Sequence, residues 1–315
     1  MSVIKFEPYI KTQVNISKMI ENKKPICIHF HIFKNAGTTV DWALEKNFSK
    51  NHLSMDEKAK NPSDIFTWKQ VLSFLNQHND VKSFSSHIIR FPLPESKNFF
   101  FLPLVFIRHP IDRIFSIYSF NKRREDNLSS IAVQICKTKT INEYIEWALN
   151  MPQNIPVKNF QTLYLSRENL DNPQVCIEDY NLALQRLKNC TVIGVVNRLD
   201  ESLVVAEETL KQYFPGIDLS AKEQNISPER KGRLEDKLKK CKEQLGENLY
   251  NKLLAHNEYD LKLFESANVE LDIRISKIKN FEKKLKNFHI RKEPINKDGI
   301  FKFAKNVVRK YYLGK

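Results

Sequence analysis

Short apolar runs alternate with amphipathic stretches through most of this chain. "ICIHFHI" (Ile26–Ile32), "LVFI" (Leu104–Ile107) and "TVIGVV" (Thr191–Val196) are rich in β-branched and aromatic residues, and "VKSFSSH" (Val81–His87) is a weaker fourth run. Such runs predict buried strands. Helical spacing of apolar residues comes after three of them, over Thr38–Lys46, Asp112–Arg123 and Asp200–Tyr213. Strand–helix repetition implies right-handed crossovers and an α/β fold, a central, mostly parallel sheet flanked by helices. Ligands of such sheets bind at the carboxyl ends of the strands, so the turns after Ile32 and Ile107 are the first places to look for chemistry.

After the first run comes "FKNAGTT". Lys34 comes just after the strand, Gly37 lacks a Cβ and would let the backbone bend tightly, and Thr38 and Thr39 open a helix. Helix-start amides, the positive end of the dipole and a lysine together make an anion cradle. The same residues could merely cap a helix. The stretch is not the common nucleotide loop G-x-x-x-x-G-K-[ST], because the lysine precedes the glycine. After the second run, Arg108 closes a strand, Pro110 suits a first helical position and Asp112 adds negative charge to the first turn. Ile111, Ile114, Phe115 and Tyr118 fall on one face and are expected to pack inward, leaving Arg108 and Ser116 for a ligand. Alternatively, Arg108 pairs with Asp112 and Ser116 is an ordinary helix serine.

Composition narrows the field. The chain has 315 residues, 41% of them hydrophobic, enough for a sizeable core. No terminal run approaches the ~18 apolar residues of a membrane span, and "MSVIKFEPYIKTQ" has no signal-peptide core, so a soluble, unprocessed, cytoplasmic protein is expected. The five cysteines are scattered, with no C-x-x-C pair, which argues for reduced thiols and against a zinc site. Of the net charge of +14, nine units lie in residues 270–315, where 14 Lys/Arg face five Asp/Glu. The mildly basic remainder suits a small phosphate-bearing ligand, and no nucleic-acid-binding motif is found.

Taken together, "HIFKNAGTT" (His31–Thr39) and "RHPIDRIFS" (Arg108–Ser116) resemble the carbohydrate sulfotransferases, the Golgi-type glycan enzymes and their bacterial relatives. That family carries H-I-P-K-T-A-G-T-T and then R-x-P-x-x-R-x-x-S; here Phe33 stands for the proline and Asn35 for the threonine after the lysine. The resemblance continues through "NFQTLYLS" (Asn159–Ser166), "VIGVVNRLDESL" (Val192–Leu203), "NISPERK" (Asn225–Lys231) and "NEYDLKLFESA" (Asn257–Ala267). It covers roughly residues 25–268 and implies a P-loop-like three-layer fold for a domain over residues 1–268; past its end, the charge count and apolar spacing predict a basic helical extension over residues 269–315.

The resemblance also implies an activity: transfer of a sulfuryl group from 3′-phosphoadenosine-5′-phosphosulfate (PAPS), without a metal, to a hydroxyl of a glycan or glycolipid. In this reading Lys34, Asn35, Gly37, Thr38 and Thr39 hold the 5′-phosphosulfate, and Arg108 and Ser116 hold the 3′-phosphate. Lys34 and His87 are then catalytic, His87 serving as the base through an imidazole of near-neutral pKa, with Glu95 next in line. His31 is expected to be structural, His29 a strand residue, His109 a variable position and Phe33 a packing residue that could line the adenine. A phosphotransferase stays open as an alternative, disfavoured by the missing second glycine and the lack of a strand-end aspartate for Mg²⁺; so does a non-catalytic module that binds polyanions or membranes. In the tail, Ile300, Ala304, Val307, Val308 and Tyr311 fall on one helical face opposite Lys302, Lys305, Arg309 and Lys310. Such a helix could meet an anionic membrane or acceptor, or dock on the domain.

Overall fold

A computed structural model describes residues 23–54, 67–124, 130–151, 155–170, 172, 174–221 and 232–292. The segments "NISPERK" and Lys297–Lys315, with the amphipathic pattern read in the tail, lie outside the described residues. Five parallel strands form one sheet: β1 (Lys24–Phe30), β2 (His52–Ser54), β3 (Ser83–Ser86), β4 (Phe99–Ile107) and β5 (Val192–Val195), in the order β2-β3-β1-β4-β5. All four expected strands are present. The three-residue β2 carries too little pattern to be seen in sequence. β3 is weak there because Ser83, Ser85 and Ser86 are buried and satisfied by hydrogen bonding, Ser83 Oγ for example lying 2.8 Å from His52 Nδ1.

Strand β1 lies at the centre. Phe30 is in register with Ser86 of β3 and with Val105 of β4, so the segments that leave these three strands emerge side by side at one edge. Helices cover both faces: α1 (Gly37–Phe48), α2 (Trp68–Gln77), α3 (Pro110–Arg123), α4 (Ile131–Thr138), α5 (Ile141–Asn150), α6 (Phe160–Ser166), α7 (Ile177–Lys188), α8 (Leu199–Leu210), α9 (Leu234–Leu245), α10 (Glu247–Ala255), α11 (Glu258–Ser276) and α12 (Phe281–Arg291). The sheet residues Ile26, Ile28, Phe30, Leu102, Val105 and Ile193 are buried in one large core. Ile111, Ile114, Phe115 and Tyr118 do pack inward, into a second core with α5 and α9. Pro110 sits at the first position of α3, and Asp112 in its first turn complements the dipole.

The division expected after residue 268 falls inside the continuous helix α11. Leu271, Phe281 and Phe288 belong to the same core as the sheet. The basic helix α12 is held on α8 by Arg291 with Glu207 (2.9 Å), Lys284 with Glu208 (2.7 Å) and His289 with Asp200 (3.0 Å). Buried apolar residues and facing acids therefore carry the fold on to residue 292, past the end of the sequence resemblance.

Helices α6 and α11 cap each other. Asn159 adopts a left-handed conformation, and its Oδ1 accepts from the amides of Tyr259 and Asp260, both at 3.0 Å. Asp260 in return accepts from the amides of Gln161 (3.1 Å) and Thr162 (2.8 Å) and from the Thr162 hydroxyl (2.8 Å). Each side chain thus satisfies orphan N–H groups of the other helix. Asp260 is fully buried and both of its oxygens face donors. Asp260→Asn points an amide NH₂ at such a donor and should lower stability by about 2–4 kcal/mol. Urea unfolding checks this as a lower midpoint at unchanged slope; an unchanged midpoint would mean that the mutual caps contribute little.

Candidate active site

The turn between β1 and α1 is built by capture of its carbonyls. His87 Nδ1 donates to the carbonyl of His31 (2.5 Å), Arg113 Nη1 to that of Phe33 (3.5 Å) and Arg108 Nη1 to that of Lys34 (2.8 Å). The three donors come from the segment after β3, from α3 and from the end of β4. Lys34 (φ 67°) and Ala36 (φ 62°) take up the left-handed conformations that reverse the chain. Gly37 is not among the positive-φ residues; it is the first residue of α1. Its need for glycine is steric, since a Cβ there would lie 1.8 Å from His31 Nε2. The tight bend read at Gly37 is therefore made by its neighbours, and the glycine makes room for an imidazole.

Asn35 is almost completely buried, and its Nδ2 donates to Phe106 O and Gln161 Oε1, both at 2.7 Å. Two acceptors fix the amide's orientation. The expected ligand contact from this side chain is corrected: it faces inward and ties the turn to β4. Gln161 completes the tie, accepting from Arg108 N (2.9 Å) and donating to Arg108 O (2.8 Å). Thr39 is buried too, while Thr38 is half-buried at the helix start. The N-cap residue of α1, Ala36, has no side chain that could cap the helix. A left-handed entry into a helix start is where an anion is expected to sit.

Cations converge on this place. Lys34 Nζ lies 4.2 Å from the centre of the Phe120 ring. Burial, then the charges of Arg108 and Arg123, push Lys34 down to about 8. Arg108 pairs with Asp112 (Nε to Oδ2, 2.6 Å), the alternative that the sequence left open. That pairing and the Lys34 carbonyl use Nε and Nη1 and preset the guanidinium beside the turn. Ser116 is half-buried on α3, two turns into the helix that Arg108 precedes.

His87 comes directly after β3, its ring centre 3.9 Å from that of His31. A carbonyl can only accept, so Nδ1 of His87 carries the proton and Nε2 keeps its lone pair. Arg90 steadies this segment, donating to the carbonyls of His87 (2.7 Å) and Ile89 (2.8 Å) and lying 4.0 Å above the Tyr164 ring. The near-neutral pKa expected from sequence is corrected: burial and then the neighbouring His31 push His87 down to about 3. Glu95 is exposed near the amino end of β4, roughly 26 Å of strand away from Arg108, so topology removes it as a base.

Two features are not visible in the sequence. Arg113 is fully buried, with Nη2 on the Pro156 carbonyl and the guanidinium 4.8 Å over the Phe160 ring; it reads as one more helix arginine until the turn it supports is seen. Asp41 of α1 is the other. Its carboxylate accepts from His29 Nδ1 (2.6 Å) and from the Ser85 hydroxyl, and its second oxygen lies 3.0 Å from His31 Nδ1 at ion-pair distance. These groups are close enough to surround a cation. His29 and Ser85 are hydrogen-bonded to the carboxylate, and His31 stands beside it at ion-pair distance. Phe33 packs edge-on against His87 and Phe120.

A sequence model described as the sulfotransferase family matches residues 18–266. An uncharacterized protein of Archaeoglobus fulgidus is 32% identical over 246 residues, covering 77% of this chain and 95% of its own length.

The charge state of Lys34 gives a testable sign. An anion favours its ammonium form, so binding above about pH 8 must take up a proton, and affinity should fall as pH rises past that point. In calorimetry with inorganic pyrophosphate, the wild type should show this decline and a buffer-dependent heat of proton uptake. Lys34→Arg, charged throughout, should remove both. The same pH dependence in both proteins would place the titrating group elsewhere.

Proposed function

The chain belongs to the sulfotransferase family, and from that premise we propose that it moves a sulfuryl group from PAPS to a hydroxyl of a glycan or glycolipid acceptor. The observation that carries this reading is the gathering of Lys34 and Arg108, with Arg123 close enough to repel the Lys34 ammonium, on the turn that opens α1 behind the left-handed Ala36. Those residues fit a ligand with two separated phosphate groups: the β1–α1 turn with Lys34 takes the phosphosulfate, and Arg108 with Ser116 takes the 3′-phosphate. The donor supplies an activated sulfuryl group and a leaving bisphosphate. Lys34 neutralises the charge that grows on the leaving oxygen, an interaction strongest at the transition state. His87 receives the acceptor's proton at Nε2 while its Nδ1–H stays on the His31 carbonyl. A polyanion beside it raises the proton affinity that burial has lowered.

The free cysteines among the described residues suit a reducing compartment, and no described helix is long and apolar enough to cross a membrane. The cytoplasmic setting, and contact of the basic tail with an anionic surface, are part of the same proposal.

Ser116 offers a clean test, because its hydroxyl is half-buried and, unlike Arg108, it does not brace the turn. Adenosine 3′,5′-bisphosphate should bind far better than 5′-AMP, and Ser116→Ala should reduce that preference about tenfold, the loss of one contact to a charged group. ATP with Mg²⁺ should not compete well. Equal affinity of the wild type for the bisphosphate and 5′-AMP would end the sulfotransferase assignment of this site. His87→Asn should leave bisphosphate affinity in place and lower single-turnover transfer by about a hundredfold or more; near-normal transfer would put the base elsewhere.

A further inference from the structure

We propose that an open cationic groove between α8, α11 and α12 is a second binding surface, one that holds the already sulfated stretch of a glycan acceptor away from the transfer site. That the occupant is a product of sulfuryl transfer rests on the proposed function; the groove and its charge do not.

The groove lies toward the amino ends of the strands, away from the β1–α1 turn. Arg274, near the end of α11, donates to the carbonyls of Thr191 (2.7 Å) and Cys190 (2.8 Å), just before β5 begins. Near the start of the same helix, Asp260 braces the frame of the active site. From Asp260 to Ser276 the helix climbs about 24 Å at 1.5 Å per residue. The groove has a volume of about 610 Å³, within the range of ligand sites, and shares no lining residue with the cradle.

Five cations line it: Lys211 after α8, Arg274 and Lys277 at the end of α11, Lys279 in the following turn and Lys284 on α12. One carboxylate, Glu208, faces them and accepts from Lys284 (2.7 Å) and from Lys211. Burial alone would raise Glu208, but its hydrogen bonds from Lys211 and Lys284 hold the carboxyl below the usual range, so it counts as charged. The lining therefore carries a net charge of +4. Lys277 and Lys279 are exposed and, among the described residues, pair with no acid. Such a surface concentrates a polyanion.

The choice of polyanion follows from charge, shape and chemistry. The chain's own last stretch does not suit, because residues 293–315 hold six Lys/Arg against two Asp/Glu, and a second copy at net charge +14 is repelled as well. A concave groove admits a flexible chain, whereas a flat bilayer would meet only its rim. In the proposed reaction the bond from sulfur to the leaving phosphate breaks, a bond from sulfur to the acceptor oxygen forms, and the hydroxyl proton leaves to His87. Each turnover thus replaces a neutral hydroxyl with an anionic sulfate monoester, and a glycan modified several times becomes a polyanion. Held in the groove, it keeps its unmodified hydroxyls at high local concentration near the cradle.

Anisotropy of labelled dextran sulfate and of unsulfated dextran, titrated with the full chain, tests this. Dextran sulfate should bind, more weakly as salt rises, and dextran should not. Lys277→Gln combined with Lys279→Gln should weaken dextran sulfate about tenfold while leaving the melting temperature and the affinity for adenosine 3′,5′-bisphosphate unchanged. Lys69→Gln combined with Lys137→Gln, which removes two exposed lysines of α2 and α4, should have little effect. Inorganic pyrophosphate at saturation fills the cradle and should leave the groove-bound polymer in place. An equal loss in the two paired variants overturns the proposal, as does complete displacement by pyrophosphate. So does binding to phosphatidylserine vesicles that falls in the groove variant while dextran sulfate binding does not. A groove-dependent loss of dextran sulfate in a protein that does not prefer the bisphosphate over 5′-AMP supports the groove and sinks only the transfer reading.

Discussion

The site rests on the capture of three carbonyls of one turn, those of His31, Phe33 and Lys34, by His87, Arg113 and Arg108. A non-glycine residue in the left-handed region costs on the order of 1–3 kcal/mol, and this turn holds two, Lys34 and Ala36. Such backbone persists only where its surroundings over-determine it. Charged and ring donors draw these carbonyls into the protein, and Asn35 N turns back onto the Ile32 carbonyl (3.1 Å), so the shape of the turn is held from both its donors and its acceptors.

That capture depends in turn on parts far apart in sequence. Gln161 bonds to the main chain of Arg108 and to Asn35, and the amide of Gln161 is held by Asp260 of α11. Asn159 and Asp260 cap each other's helices, so α6 cannot shift without breaking the start of α11. Four separate sequence blocks are therefore one hydrogen-bonded frame: "HIFKNAGTT", "RHPIDRIFS", "NFQTLYLS" and "NEYDLKLFESA". Arg108 serves the frame and the electropositive site at once, spending Nη1 on the Lys34 carbonyl, while the fully buried Arg113 serves the frame alone.

The same division decides how much is legible in the sequence. The strands at Ile26 and Leu104 and the helices after them are carried by local pattern, and the Lys34, Gly37 and Arg108 positions by local motif. The reasons for those residues are not local. Gly37 looks like a hinge until the ring of His31 is found against it. Asn35 looks like a ligand residue until Phe106 and Gln161 are found beneath it. The histidine of "VKSFSSH" lies at a strand end as its pattern predicts, but its proton affinity depends on burial and on His31, neither visible in its own segment. Glu95 is close to His87 in sequence and a full strand away in space, because the chain returns to the amino end of β4 before pairing again.

The electrostatics of the site form two compartments divided by the β1–α1 turn. On one side a single carboxylate, Asp41, collects two histidines and a serine out of bulk water; on the other Lys34, Arg108 and Arg123 crowd together with Asp112 as their paired acid, so that Lys34 is held near 8. Either compartment alone would be costly, a desolvated anion or a cluster of like charges. A ligand carrying several negative charges relieves the second without disturbing the first. His31 lies against both, its Nδ1 3.0 Å from Asp41, its Nε2 against Gly37 and its ring centre 3.9 Å from that of His87.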